Sequence, residues 1–175
     1  MNLDELDGKI GEGWGGLSPN GAHVNVVLAR RGSPTAAAAV SMLAHPSPGH
    51  TPVLVCVGSD QPSYEVVLPP TLMMNKATAL DEHHETITWG AAQLGIAQGV
   101  LDAVAAGLVE ATQELVVLVA VWVDAAADDE TAVRLAARAA MQKAIRTCVE
   151  GRDPAAVQAL VDRRDSLTSP FYGGT

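Results

Sequence analysis

The apolar and polar positions of the chain follow two periods, and the shorter period predicts its strands. Residues 22–29 read Ala-His-Val-Asn-Val-Val-Leu-Ala. Because side chains on a strand alternate between faces, His23 and Asn25 point to the same side. Residues 115–123 are rich in β-branched side chains and bounded by polar ones, which predicts a central strand. Residues 52–57 are apolar and predict one buried strand.

Shorter extended segments complete this set of strands. The Gly-rich residues 9–17 predict an irregular first strand, and residues 66–68 and 72–74 read as extended. The last two segments flank Pro69 and Pro70, which cannot sit in the hydrogen-bond ladder of a central strand.

The longer, helical period marks two segments in the first two thirds of the chain. Ser33 as N-cap, with a proline directly after it, begins an Ala-rich helix over residues 34–43. From Asp81 the pattern is helical, breaks near Gly90, and resumes as far as Gly107. The apolar positions of the resumed part lie three and four apart, at Leu94, Ala97, Val100, Leu101 and Val104.

The C-terminal part is also predicted to be helical, with a loose tail. Asp128 or Asp129 caps a helix over residues 130–149, and a glycine ends it. A proline opens a last short helix over residues 154–164, and residues 165–175 form the tail.

The order of these elements favours an α+β fold, because strands and helices do not alternate strictly and two strands lie together mid-chain. We expect a two-layer sandwich, with helices packed on one face of a sheet, formed by residues 1–175 as a single domain. Aromatic residues make up only 3% of the chain, so Ala, Val and Leu must fill its core.

Charge and hydropathy limit the partners and the compartment. The net charge of −9 argues against nucleic acid or an anionic membrane as the main partner. The N-terminus is acidic and lacks the basic and apolar regions of a signal peptide. The longest apolar run, residues 115–123, is about half the length that a membrane helix needs. We therefore expect a cytoplasmic protein.

The cysteines and most histidines do not predict a metal site. Cys56 and Cys148 lack metal-ligand spacing, and we expect both to be small, reduced, buried side chains. His83 and His84 are adjacent, so on a helix they diverge and a solvated face is expected. His45 and His50 lie in a Pro/Gly loop where no spacing demands a ligand.

His23 is the best candidate for chemistry, since an imidazole exchanges protons near neutral pH. From the strand alone, a structural histidine hydrogen-bonded to backbone is the favoured interpretation. Lys76 follows an apolar extended stretch and is by itself an ordinary surface lysine. Gln93 carries an amide that suits the edge of a heterocycle, or it simply begins a helix. Phosphate-loop, dinucleotide, serine-hydrolase and Cys-x-x-Cys motifs are absent from the sequence.

In order and spacing, these segments together resemble the formaldehyde-activating enzymes, which condense formaldehyde with tetrahydromethanopterin to the methylene derivative and water. The resemblance covers about 140 residues. It is carried by residues 11–23, 31–34, 51–57, 71–78, 90–93, 101–104, 115–123 and 128–129.

The resemblance implies a mixed sheet and a set of site residues. His23 matches the proposed proton donor of the family. The pterin-contacting positions correspond to Asn25, Leu54, Lys76, Thr78 and Gln93. It also implies no metal, no tightly bound cofactor, tetrahydromethanopterin as co-substrate, and a homopentamer with sites between subunits. The implied setting is one-carbon metabolism, with formaldehyde detoxification and methylotrophy.

Four departures from the family pattern predict a divergent paralogue. Asn25 replaces a carboxylate, so we expect His23 to be less readily protonated. Residues 90–93 read Gly-Ala-Ala-Gln instead of Gly-Pro-Ala-Gln, residues 134–137 lack an Asn-Tyr pair, and the connection over 58–70 is longer. Two alternatives therefore stay open: a non-catalytic homologue that binds a pterin or formaldehyde adduct for sensing or carriage, and an enzyme that uses a different reduced pterin.

Overall fold

Seven strands and six helices make up residues 2–169, the part of the chain that the computed structural model describes. The strands are β1 (Ile10–Gly15), β2 (Ala22–Arg30), β3 (Val53–Leu54), β4 (Cys56–Val57), β5 (Glu65–Val66), β6 (Thr71–Asn75) and β7 (Leu115–Val123). The helices are α1 (Leu3–Leu6), α2 (Pro34–Ala44), α3 (Glu82–Thr86), α4 (Gln93–Ala105), α5 (Glu130–Glu150) and α6 (Pro154–Asp162). Residues Ile87–Ala92 form a π-helical segment between α3 and α4.

The main sheet is mixed and has the strand order β1-β2-β7-β6-β3. The strand predicted over 115–123 is its central member, antiparallel to β2 and parallel to β6. The expected α+β sandwich and the mixed sheet are therefore confirmed. The expected irregular first strand is a regular edge strand, β1, paired with β2 along its whole length.

One face of the sheet is covered closely by α5. Gly11, Gly13 and Gly15 occupy the inward positions of β1, where a Cβ would overlap the carbonyl oxygens of α5. Glycine at every second residue thus lets the helix backbone rest directly on the strand. Helix α4 packs beside α5 and completes this layer. The interior is filled by small and aliphatic side chains such as Leu28 and Ile145.

The helix ends follow the predicted caps. The Ser33 hydroxyl accepts from the backbone N–H of Ala36, and Asp129 accepts from Ala132 at the start of α5. At the other end of α5, Gly151 has a positive φ of 82°, the left-handed region that favours glycine.

Two predictions of local structure are wrong. Residues 52–57 do not form one strand, because Val55 lies between β3 and β4 and leaves the main sheet. Its N–H donates to the Thr71 carbonyl, whereas its own carbonyl accepts from Val67. Strand β4 therefore pairs with β5 in a separate two-stranded ribbon.

His84 is the second correction, because it is buried and not solvated. Its Nδ1 accepts from the Leu80 N–H, and its Nε2 contacts the Val123 carbonyl at 3.2 Å. The adjacent His83 reaches the Ala127 carbonyl instead. The expected loose tail over 165–175 lies partly outside the described residues, and Arg164–Ser166 form a 3-10 turn.

No helix within residues 2–169 combines the length and apolar character needed to span a membrane.

Candidate active site

The second face of the main sheet, which we call the open face, carries half-buried side chains of mixed character. It is formed by the outward residues of four strands, and α2 lies against part of it. The register places Trp14, His23 and Trp122 side by side on β1, β2 and β7. Lys76 follows β6 at the same level, since its N–H donates to the Val121 carbonyl. Alternation along β2 therefore points His23 and Asn25 to this face, as predicted.

Three titratable side chains form one hydrogen-bonded chain across the open face. The Nε2 of His23 lies 3.0 Å from Oε2 of Glu12. The Nδ1 of His23 lies 2.6 Å from Nζ of Lys76. Glu12 reaches His23 from the neighbouring strand, and Lys76 reaches it past Trp122. The structure thus joins two of the predicted site residues, His23 and Lys76, directly.

The partners of His23 decide where its protons lie. A carboxylate only accepts, so Nε2 carries a proton and donates it to Glu12. At Nδ1 there are two arrangements: the Lys76 ammonium donates to a neutral ring, or an imidazolium donates to the Lys76 amine. One proton is therefore shared between Lys76 and His23, and the negative charge of Glu12 lies on the opposite side of the imidazole ring.

Both flanking groups have shifted pKa values. The hydrogen bond from His23 is the main cause that lowers the pKa of Glu12 below its ordinary value, so the carboxylate stays ionised. Desolvation lowers the pKa of Lys76 from 10.5 to about 8, against the opposing attraction of Glu12. A lysine amine poised near physiological pH is characteristic of functional sites.

Two tryptophans stand beside this chain. The Trp14 and Trp122 rings lie 5.8 Å apart between centroids, and Trp14 lies 6.3 Å from the His23 ring. Trp14 remains 44% exposed, although an indole ring gains much from burial. An exposed aromatic face beside a proton-exchanging group is suited to stacking a planar heterocycle.

Asn75 fixes the segment that carries Lys76. Its buried side chain accepts from the Thr51 N–H and donates to the carbonyls of Gly49 and Ala77. His50 adds a hydrogen bond to the Asn75 carbonyl at 2.9 Å. The Pro/Gly loop that contains His50 is therefore tied to β6, and its histidine has a structural contact.

Three of the predicted positions, Leu54, Thr78 and Gln93, form no hydrogen bond with His23 among the residues that the structure describes. Thr78 is exposed and packs against Gly49, and Leu54 pairs with Leu72 at the far edge of the sheet. Gln93 is half-buried, and its amide donates to the Trp89 carbonyl one turn earlier.

Asn25 lies next to His23 in the outward set of β2 residues and lines an apolar groove of about 210 Å³. The other walls are open-face residues and two side chains of α2, among them Val27, Ala39, Leu43, Leu72, Met74 and Leu118. In the β1–β2 register a carboxylate, Glu12, lies directly across from Asn25 on the neighbouring strand.

Sequence reasoning missed Glu12 and the two tryptophans as site residues. A signal was present, since residues 11–15 alternate Gly-Glu-Gly-Trp-Gly. If the glycines face a helix, then Glu12 and Trp14 must share the other face with His23. That deduction required the β1–β2 register, which the sequence did not provide.

The described residues hold no group of three or more His, Cys, Asp or Glu side chains placed to bind a metal. Cys148 lies on α5 and is buried between this helix and the sheet. Burial raises the pKa of its thiol to about 12. Both cysteines are free, as expected, although Cys56 is only half-buried.

Comparisons with known proteins identify the family of this chain. A family model described as formaldehyde-activating enzyme (Fae) matches residues 10–172. The 5,6,7,8-tetrahydromethanopterin hydro-lyase of Methanosarcina barkeri is 33% identical over 169 residues, which cover 95% of this chain and 91% of that protein. The bifunctional enzyme Fae/Hps of Archaeoglobus fulgidus is 28% identical over 96% of this chain, but the match spans only 42% of that protein. The chain belongs to the formaldehyde-activating enzyme family.

Proposed function

We propose that this protein condenses formaldehyde with tetrahydromethanopterin to give methylene-tetrahydromethanopterin and water. The observation that carries the proposal is the chain Glu12–His23–Lys76, a proton-exchanging group held between a carboxylate and an amine on an exposed face. The name of the Methanosarcina barkeri relative, a tetrahydromethanopterin hydro-lyase, supports the choice of substrate. Both reactants bind as substrates, without a metal or tightly bound cofactor.

The chemistry requires one well-placed proton. An amine of the pterin attacks the carbonyl carbon of formaldehyde and gives a hydroxymethyl amine. Loss of its hydroxyl as water needs a proton, because hydroxide is a poor leaving group. The His23 imidazolium donates that proton, Lys76 replaces it across the 2.6 Å contact, and Glu12 balances the charge on the ring. Glu12 is a positioning residue in this scheme, since it acts through His23.

Asn25, Leu54, Lys76, Thr78 and Gln93 bind the pterin. Asn25 and Gln93 carry amides that match the donor and acceptor edges of such a ring. Trp14 adds a stacking surface next to His23. Because Thr78 and Gln93 make no hydrogen bond to His23 within one chain, we propose that a neighbouring subunit completes the site.

A homopentamer is the assembly we propose. The apolar groove beside Asn25 and the half-buried residues of the open face leave surface for a neighbouring subunit to cover. Within it, residues 1–175 act as a single domain, in the cytoplasm, where the reaction removes formaldehyde and feeds one-carbon metabolism in a methylotrophic setting. Light scattering is the check: a stable monomer at micromolar concentration would exclude the assembly.

The function is tested by the rate of methylene-tetrahydromethanopterin formation from formaldehyde, with the uncatalysed condensation as background. We expect the purified protein to exceed that background by at least about a hundredfold, the range of a single well-placed proton donor. Binding of the pterin without any rate increase would identify a carrier or sensor instead of an enzyme. A rate increase only with a different reduced pterin would keep the enzyme and change its substrate.

A further inference from the structure

Lys76 differs from the other lysines of this chain. The sequence contains three lysines, Lys9, Lys76 and Lys143. Lys9 and Lys143 are exposed, whereas Lys76 is half-buried and bonded to the candidate proton donor. Recognition of a substrate by charge alone would be served by an exposed, fully hydrated ammonium. A partly desolvated amine beside an imidazole is instead the arrangement of a nucleophile with its acid–base partner.

We propose that Lys76 captures formaldehyde covalently before the pterin reacts, through an iminium on its Nζ. The inference rests on the proposed function: it keeps the condensation, but Lys76 makes the first attack on formaldehyde in place of the pterin amine. Formaldehyde is the smallest aldehyde, so a half-buried amine remains accessible to it.

The steps balance without a further reactant. The lone pair of Nζ forms a bond to the formaldehyde carbon, and proton transfer gives a hydroxymethyl-lysine. The imidazolium of His23 protonates the hydroxyl, water leaves, and the nitrogen lone pair forms the C=N bond of the iminium. An amine of the pterin then attacks the methylene carbon. The proton of the attacking amine passes to Nζ, the bond to Nζ breaks, and its electron pair returns to Lys76. This leaves an iminium on the pterin, and a second pterin amine attacks it and loses a proton, which closes the methylene bridge.

The surroundings of Nζ favour both the formation of the iminium and its reaction with the pterin. His23 contacts Nζ directly, so it can accept the proton released when the free amine forms. Glu12, on the other side of the imidazole, compensates a positive charge on the ring or on the iminium. Desolvation brings the pKa of Lys76 to about 8, so roughly a tenth of this amine is unprotonated at neutral pH. An ordinary lysine is unprotonated to well under about one part in a thousand.

The test is reductive trapping in the absence of pterin. The protein is mixed with limiting formaldehyde and cyanoborohydride, which delivers hydride to an iminium and leaves N-methyl-lysine. Peptide mass spectrometry then compares the three lysines in the same sample. We expect Lys76 to be methylated roughly a hundredfold faster than Lys9 or Lys143 at neutral pH, in proportion to the free amine. Its rate should level off above about pH 8, the pKa of Lys76. Equal methylation of all three lysines would overturn the proposal.

Substitution separates capture from simple contact. Lys76→Arg keeps the positive charge and the reach but offers no nucleophilic amine, and Lys9→Arg is the matched control. If Lys76 captures formaldehyde, Lys76→Arg loses kcat by roughly a hundredfold or more, whereas Lys9→Arg behaves as wild type. Loss of the proton relay to His23 would also lower kcat, so capture requires this loss together with selective trapping of Lys76 in the wild type. A loss of kcat without selective trapping would overturn the proposal. An unchanged kcat, or a rise in KM alone, would assign Lys76 to binding and overturn the proposal. Selective trapping without condensation would support capture and reject the proposed function.

Discussion

The two faces of the main sheet are built from the same strands, but one packs against α5 and the other carries the candidate active site. On the packed face, β1 presents Gly11, Gly13 and Gly15, and the backbone of α5 lies directly on them. On the open face the intervening residues, Glu12 and Trp14, stand beside His23. Alternation along a strand therefore lets neighbouring residues serve stability and chemistry separately, and substitutions one residue apart should have unrelated consequences.

The largest expected effect is on stability, from a substitution on the packed face. Gly13→Val places a branched side chain where the Ala140 carbonyl lies, so α5 must move away from the sheet. We expect a loss of about 3 kcal/mol in the free energy of unfolding, the upper range for overpacking. Urea unfolding at matched protein concentration measures it.

The control for this prediction is the same side chain one residue earlier. Glu12 is exposed on the open face, so Glu12→Val should change the unfolding free energy by less than about 1 kcal/mol. Equal losses for the two variants would mean that the faces do not differ in the way described.

A smaller effect is expected from the charge of Glu12. Glu12→Gln keeps the size and the acceptor oxygen but removes the negative charge beside His23. We expect kcat to fall roughly tenfold, because the imidazolium loses its counter-charge, with KM little changed. Because the attraction of Glu12 raises the pKa of Lys76, its loss should also move the part of the pH–rate profile that depends on Lys76 to lower pH, a change that a structural role would not produce. Steady-state kinetics over a pH series measures both.

Glu114→Gln is the matched control for the charge. Glu114 also forms an ion pair, with Arg31. It directly precedes the first residue of β7, whereas Trp122 lies near the last residue of that strand. We expect its kinetics to match those of the wild type. A similar loss in both variants would point to net charge, not to the contact with His23.

Asn25 gives a smaller and more discriminating prediction. From the sequence, Asn25→Asp should restore a family carboxylate, make His23 more readily protonated and increase the condensation rate. The structure places Glu12 directly opposite, so the new charge is added beside an existing one, and like charges across strands repel. We therefore expect a gain of no more than a few-fold in rate. The kinetics and NMR titration of His23 in both proteins are the measurements, and a tenfold gain would show that repulsion from Glu12 does not limit the effect of the new charge.

The smallest expected effect concerns pH and Lys76. Its pKa is about 8 in the folded protein and 10.5 ordinarily, so between these values the unfolded chain binds more protons and stability rises with pH. Lys76→Met removes this dependence. The difference in unfolding free energy between wild type and variant should therefore be constant below pH 8 and shift in favour of the wild type from about 8 to 10.5. Solvent screening of this half-exposed group limits the shift to about 1 kcal/mol. If the difference in unfolding free energy between the two proteins does not change with pH across that range, the lowered pKa of Lys76 is contradicted.

Local patterns predicted the packed face well and the open face only in part. The strand at 115–123, the Asp129 cap and the π-interrupted helix around Gly90 depend on periodicity and caps, which are local properties. The error over 52–57 arose because Val55 bonds to two partners remote in sequence. Apolar composition does not reveal such a switch of partner.

The candidate site residues, unlike the helices and strands, could not be predicted from local patterns. His23 and Lys76 were identified through a family resemblance, not through their spacing, since 53 residues separate them. Glu12 was missed because its role depends on the β1–β2 register. His84 was misjudged because a histidine on an otherwise polar helix turn gives no sign that backbone groups will surround it.

The most direct test of the account is the condensation rate of His23→Ala against wild type, measured per folded molecule with tetrahydromethanopterin and formaldehyde. His23 lies on the open face, so the variant should fold. If it donates the proton that releases water, kcat should fall by roughly a hundredfold or more while KM for the pterin changes by less than about threefold. A kcat within about twofold of the wild type would contradict the central claim that the Glu12–His23–Lys76 chain performs the chemistry.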